Sequence, residues 1–253
     1  MKEGVVRRFR FLMVAVLSAS VLGIGAEPLR ADDVIVAVSL HKPPYVIQEE
    51  KAGIEYDIVR EALAYKGHRL IPRFMPQRRI LYEYQHGMVG GIYSVKPFDN
   101  LKGYVTDPTV VYHNFAVTLA SSKLQISSFA DLAGKTVVSF QNAKHFLGAE
   151  FSAAISQADA YTEVRNQFSQ AKMLLSERVQ VAIGDKAIIQ YFAKRVAPRF
   201  RQGKELVFHS IMKPNPYHSA FWEERIRDDF NEGLSHLRAS GRYDEILEKY
   251  TDY

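Results

Sequence analysis

Three consecutive stretches decide the fold: VIVAVSL (Val34 to Leu40), GIEYDIVREALAYKGH (Gly53 to His68) and RLIPRF (Arg69 to Phe74). The first is β-branched and bounded by Asp and Pro, which describes a buried strand. In the second, Ile54, Ile58, Ala62 and Leu63 recur at helical spacing until Gly67, where a C-cap glycine is expected. The third is extended again. A strand, a helix and a strand in this order predict parallel pairing with the helix laid across the sheet.

Working outward, the rhythm continues. A helix is predicted from about Arg78 to His86, then a short strand in MVGGIY, then a long extended run from Val111 to Ala120. Ser128 followed by Asp131 can cap a short helix. A second set follows: strand TVVSF, helix Ala143 to Ser156, strand Ala160 to Val164, helix Gln167 to Ser176, strand VQVAIG, and helix Ala187 to Val196. The run Glu205 to Ile211 reads as a further strand, and helices Phe221 to Ala239 and Tyr243 to Tyr250 end the chain around Gly241. Two sets of similar size predict an α/β protein of two lobes with mainly parallel sheets.

Composition narrows the function. The 253 residues carry 33 Lys and Arg against 28 Asp and Glu, with no Cys. Without Cys there is no thiolate zinc site, no Cys nucleophile and no lipid-modified cysteine. Residues 1–26 pair a basic start (Lys2, Arg7, Arg8 and Arg10 against Glu3) with the uncharged run Phe11 to Ala26, the pattern of a signal peptide, with cleavage after Ala26 or Ala31. Its removal takes the formal charge from +5 to +2, which gives no electrostatic argument for nucleic acid. No G-x-S-x-G, H-E-x-x-H or P-loop motif is present, so an enzyme is not expected.

Four segments, KPPYV (Lys42 to Val46), Gly53 to His68, FADLAGKTVVSFQNA (Phe129 to Ala143) and FNEGLSHLRASGRYDEILEKY (Phe230 to Tyr250), resemble the family 3 extracellular solute-binding proteins, which include polar amino acid receptors of bacterial ABC importers. The resemblance implies the type 2 periplasmic binding fold, with two lobes joined by two hinge strands and the ligand held between them. On that template residues 32–118 and 211–253 form lobe one, residues 119–210 form lobe two, and the crossings are Ala116 to Ser121 and Val207 to Ile211. It further implies a periplasmic monomer that needs no cofactor and binds a small polar solute, amino acid-like or an organic anion. Its partner would be the membrane permease of an ABC importer or a sensor kinase. A dehydratase-like enzyme on the same fold is the alternative.

The family's ligand contacts carry over residue by residue. Tyr45 matches an aromatic wall, though it could equally pack on its own lobe. Asp185 matches the acid that meets a ligand ammonium, and it could also cap a helix. Gln141, Asn142 and Ala143 open a helix whose amides would favour an anion. Tyr93 and Ser94 begin the region where the family places its carboxylate-binding Arg, but Asp99 or a neighbour stands there instead. Arg78 and Arg79 are the candidates for the missing positive charge, with Lys42, Lys96 and Lys144 as weaker ones. Gln167 and Gln170 are further polar candidates on a second-lobe helix.

Overall fold

Val34, Val36 and Val38 are buried along one strand, with Ala37 buried on its other face. That two-sided burial explains a continuous apolar run in place of strict alternation. The computed structural model describes residues 31–96, 100–199 and 204–251. Residues 1–26, expected to be a signal peptide, and Asp99 lie outside the described residues.

Lobe one is built on β1 (Asp33–Ser39), β2 (Arg69–Met75), β3 (Gly91–Val95), β4 (Tyr104–Tyr112) and β10 (Asn215–Phe221), in the order β2-β1-β3-β10-β4. Lobe two is built on β5 (Asn114–Leu119), β6 (Thr136–Phe140), β7 (Ala160–Val164), β8 (Val181–Asp185) and β9 (Leu206–His209), in the order β7-β6-β8-β5-β9. Both sheets are mixed. β1 runs parallel to β2 and β3, and β6 runs parallel to β7 and β8, as the strand-helix-strand units dictate. Antiparallel pairing enters with β10 in the first sheet and with β5 in the second.

Each sheet is covered on both faces. In lobe one, α1 (Ile54–Ala64), α6 (Glu224–Ala239) and α7 (Arg242–Thr251) bury Ile58, Leu63, Phe230, Leu234 and Ile246 on one side. On the other, α2 (Gln77–Gln85) buries Ile80 and Tyr84. Gly233 permits the α1–α6 approach, since a Cβ there would lie 2.0 Å from the Ala62 carbonyl oxygen. In lobe two, α4 (Gln167–Leu175) and α5 (Lys186–Val196) cover one face, and α3 (Ala143–Ile155) covers the other with Phe151 and Ile155. The Ser128/Asp131 pair does cap a turn, a 3-10 helix at Phe129–Leu132. No helix among the described residues is long and apolar enough to cross a membrane.

The lobes touch as well as connect. Ile188 of α5 belongs to the lobe-one core, with Ala187 and Phe192 packed against it. The first change of sheet falls at His113, earlier than the expected boundary after residue 118, because Asn114 to Val117 already pair with β8. The return lies between β9 and β10. Phe221, expected to begin a helix, ends a strand.

Candidate ligand-binding site

A loop between β1 and α1 carries Lys42 and Tyr45, and Gly53 sets its shape. Gly53 has φ 128°, and a Cβ there would lie 2.4 Å from the Tyr45 carbonyl oxygen, so only glycine fits without a shift. The C-terminal helix pins the same corner: the Gly53 amide donates to the Tyr250 hydroxyl at 2.9 Å, which donates to Asp57 at 2.6 Å, and Lys249 reaches Asp57 at 3.0 Å. The Lys-Tyr pair of the last quoted motif therefore holds the loop that carries Tyr45.

From this loop Tyr45 crosses to lobe two. Its hydroxyl donates to Asp185 at 3.1 and 3.2 Å, and its ring lies 4.1 Å from that of Tyr112. Asp185 is the N-cap of α5 and also accepts from the amides of Ile188 at 3.2 Å and His113 at 3.0 Å. Burial pushes the Asp185 carboxyl above its ordinary range, while those amides and the Tyr45 hydroxyl pull it back. Burial and then the charge of Asp185 push the Tyr45 hydroxyl well above 10, so it stays a donor. The helix-cap reading of Asp185 therefore holds, and the same carboxyl lines the space between the lobes.

Beneath Tyr112 lies Glu55, a wholly buried carboxylate in the first turn of α1. Its Oε2 accepts from Ser94 at 2.5 Å and Tyr112 at 3.0 Å, and Lys42 stands 3.5 Å away. Lys42 also donates to Ser94 at 2.9 Å and sits 4.8 Å above the Tyr112 ring. Glu55 Oε1 has no hydrogen-bond partner.

Above this network, a cavity of 220 Å³ lies between the lobes. At ~30 Å³ per water it has room for about seven waters, the scale of a small organic molecule. Lobe one contributes Lys42, Gln77, Ser94, Tyr112 and Tyr217; lobe two contributes Phe140, Phe146, Gln167, Asp185 and Ile188. No group of His, Asp or Glu among the described residues is arranged to hold a metal ion.

Of the expected contacts, Ser94, Asp185, Lys42 and Gln167 line the cavity, and Tyr45 adjoins it through its bond to Asp185; the others stand elsewhere. Arg79 turns to Glu83 at 2.6 Å with its side chain 64% exposed, and Arg78 is exposed beside it; neither lines the cavity. Gln77, at the start of the same helix, does, because successive helical residues point about 100° apart. Tyr93 is buried in the lobe-one core, where burial and then Glu55 push its hydroxyl well above 10. The start of α3 is closed by the chain itself: Glu163 accepts from the amides of Asn142 at 2.7 Å and Lys144 at 3.2 Å. Parallel pairing of β7 with β6 sets Glu163 opposite Ser139, within reach of that helix start. Ala143 is buried and Gln141 is exposed away from the cavity. Gln170 ties α4 to the sheet through the Ile183 carbonyl at 2.6 Å. Glu55, Tyr112, Tyr217 and Phe146 went unread, and Lys42 outranks the arginines.

Comparison with known proteins follows the fold. Residues 108–216 match the family model described as NMT1/THI5 like. No curated protein matches the sequence. Among solved structures, the GluR0 ligand-binding core in complex with L-glutamate is similar over 87% of this chain and 98% of its own, at 17% identity and TM-score 0.68. Substrate-binding domain 2 of Lactococcus lactis GlnP in an open conformation is similar over 90% and 98%, at 20% identity and TM-score 0.65. A histidine kinase sensor domain with similarity to periplasmic binding proteins is similar over 86% and 95%, at 16% identity and TM-score 0.63. The chain therefore has the type 2 periplasmic binding protein fold, the one its resemblance to the family 3 solute-binding proteins implies.

Proposed function

We propose that the protein captures a small organic solute between its two lobes and works as a binding protein rather than an enzyme. The observation that carries this reading is the cavity between Lys42 and Asp185, walled from both lobes and bridged by the Tyr45–Asp185 hydrogen bond. A ligand favours closure only through contacts that the open form lacks, and groups from both lobes supply such contacts. Tyr45, Ser94 and Asp185 remain in the proposed site; Lys42, Gln77 and Phe146 replace Arg78, Arg79 and the start of α3.

The basic and apolar start of the chain supports export to the periplasm, with the working form a soluble monomer. Its partner is then a permease of an ABC importer, the reading supported by likeness to a GlnP substrate-binding domain. A sensor kinase partner is the second reading, favoured by the sensor-domain neighbour.

The test is thermal melting of the purified protein across amino acids, amines, organic acids and peptides, together with native mass spectrometry. A ligand bound only to the folded state raises the melting temperature, by about 2.7 kcal/mol of added stability at a hundredfold excess over Kd. One solute class that raises it, without turnover, supports the reading. Failure of every solute, with no co-purified molecule, or product release in place of binding, overturns it.

A further inference from the structure

We propose that the cleft selects an organic anion: one carboxylate-like group on a flat apolar body, in place of a free α-amino acid. This rests on the cleft being a ligand site.

The first observation concerns the acid. Asp185 is filled by the protein's own donors, the Tyr45 hydroxyl and the amides of His113 and Ile188. A carboxylate offers about four acceptor sites, and a ligand ammonium would have to displace the tyrosine to gain a full share of them. Glu55 does not line the cavity. Among the described residues no other acid lines it, so an ammonium group there meets no open carboxylate from them.

The second concerns the cation. An ammonium has three donors, and Lys42 spends two, on Ser94 and Glu55. The third is left for a ligand oxyanion at the cavity wall. The cavity shares residues with hollows on either side, Gln167 and Lys42 with one, Phe146 and Asn114 with the other. The first hollow carries Arg165, and the second carries Lys96 and Lys213 against Glu150. Among the described residues that line the cavity and these hollows, Lys and Arg outnumber Asp and Glu, which draws anions toward the cleft.

The third concerns the body of the ligand. Phe146 is 47% exposed, an uncommon setting for a phenylalanine, and it reaches the cavity beside Phe140 and opposite Tyr217. Lys96 Nζ lies 5.5 Å from the Tyr217 ring and 6.0 Å from the Phe146 ring, so a ring from each lobe flanks the same cation. A flat apolar group laid on the cavity side of those rings, beside Lys96, gains contact with both lobes at once.

A matched series tests this: 3-phenylpropionate, L-phenylalanine and 2-phenylethylamine share a body and differ in charge. By isothermal titration calorimetry on the purified protein, 3-phenylpropionate should bind at least tenfold more tightly than L-phenylalanine, and 2-phenylethylamine should give no heat of binding. Lys42→Met should weaken 3-phenylpropionate at least tenfold. Phe146→Ala, at an exposed position, should weaken it while leaving the melting temperature of the unliganded protein in place. Equal or tighter binding of L-phenylalanine overturns the inference, as does a Kd within twofold of wild type in both variants. If none of the three binds while a hydrophilic amino acid raises the melting temperature, the anion inference falls and the cleft reading stands. If no solute of any class binds, both fall.

Discussion

Replacing Tyr45 by phenylalanine removes one oxygen from the junction of the lobes. The ring keeps its place on Tyr112, and Asp185 keeps the His113 and Ile188 amides, so no carboxylate is stranded. What is lost is a hydroxyl-to-carboxylate bond across the cleft, a class of interaction contributing about 1.5–3 kcal/mol. At 1.4 kcal/mol per tenfold, the equilibrium between closed and open lobes should move toward open by about 10- to 150-fold. The chain has no Cys, so spin labels can be placed at Ser235→Cys on α6 and Ala153→Cys on α3, both exposed, without competing thiols. Pulsed electron resonance should then show one narrow distance in the wild type and a broader, shifted distribution in Tyr45→Phe. An unchanged distribution would refute the idea that this bond holds the lobes together.

Three further outcomes follow from the same contacts. Gly53→Ala places a methyl 2.4 Å from the Tyr45 carbonyl at φ 128°, a strain on the order of 1–3 kcal/mol that should lower the melting temperature and broaden the same lobe-to-lobe distance; an unaltered melting curve contradicts it. Phe230→Ala empties a fully buried ring site between α6 and the first sheet, costing about 3–5 kcal/mol, or roughly 2–4 °C per kcal/mol for a chain of this size. A loss under about 1 kcal/mol would mean that the lobe-one core does not depend on this helix. His209, buried on β9 with Thr118 Oγ1 at 2.9 Å, has its pKa lowered from 6.5 by burial. The neutral ring is favoured in the fold, so its contribution is present above pH 6.5 and is lost as pH falls through the lowered value. Melting temperature should drop more steeply from pH 7 to pH 5 in the wild type than in His209→Gln, and equal slopes would remove the residue from the account.

Local patterns in the sequence carried the strand-helix-strand units. Ile54, Ile58, Ala62 and Leu63 repeat at helical spacing, and Gly67 does take positive φ just past α1. Strand β10 was not legible, because Asn-Pro-Tyr-His-Ser-Ala-Phe lacks a buried-strand pattern and owes its extension to partners far away in the chain, β3 and β4. The residues from Val111 to Leu119 all suit an extended chain, so nothing in them marks the change of sheet at His113, and the run ends at Ala120, where a 3-10 turn begins.

The site divides the same way. Tyr45 sits in a turn just after two prolines and Asp185 at the end of β8, where local reading works. Arg79 looked available because a sequence does not show that Glu83, one turn on, will pair with it. Glu55 reads as an ordinary acid in a first helical turn, and only the fold reveals that Ser94 and Tyr112 close over it. Lys42 was within reach of a better argument, since it follows the carboxyl end of β1, where open α/β sheets bind ligands.

A crystal structure of the protein with a solute that raises its melting temperature tests the central claim most directly. The account predicts density for the solute between the lobes, touching Lys42 from one and Phe146 from the other, with Tyr45 still bonded to Asp185. Density on an outer face of either lobe, with the cleft unchanged, would contradict it.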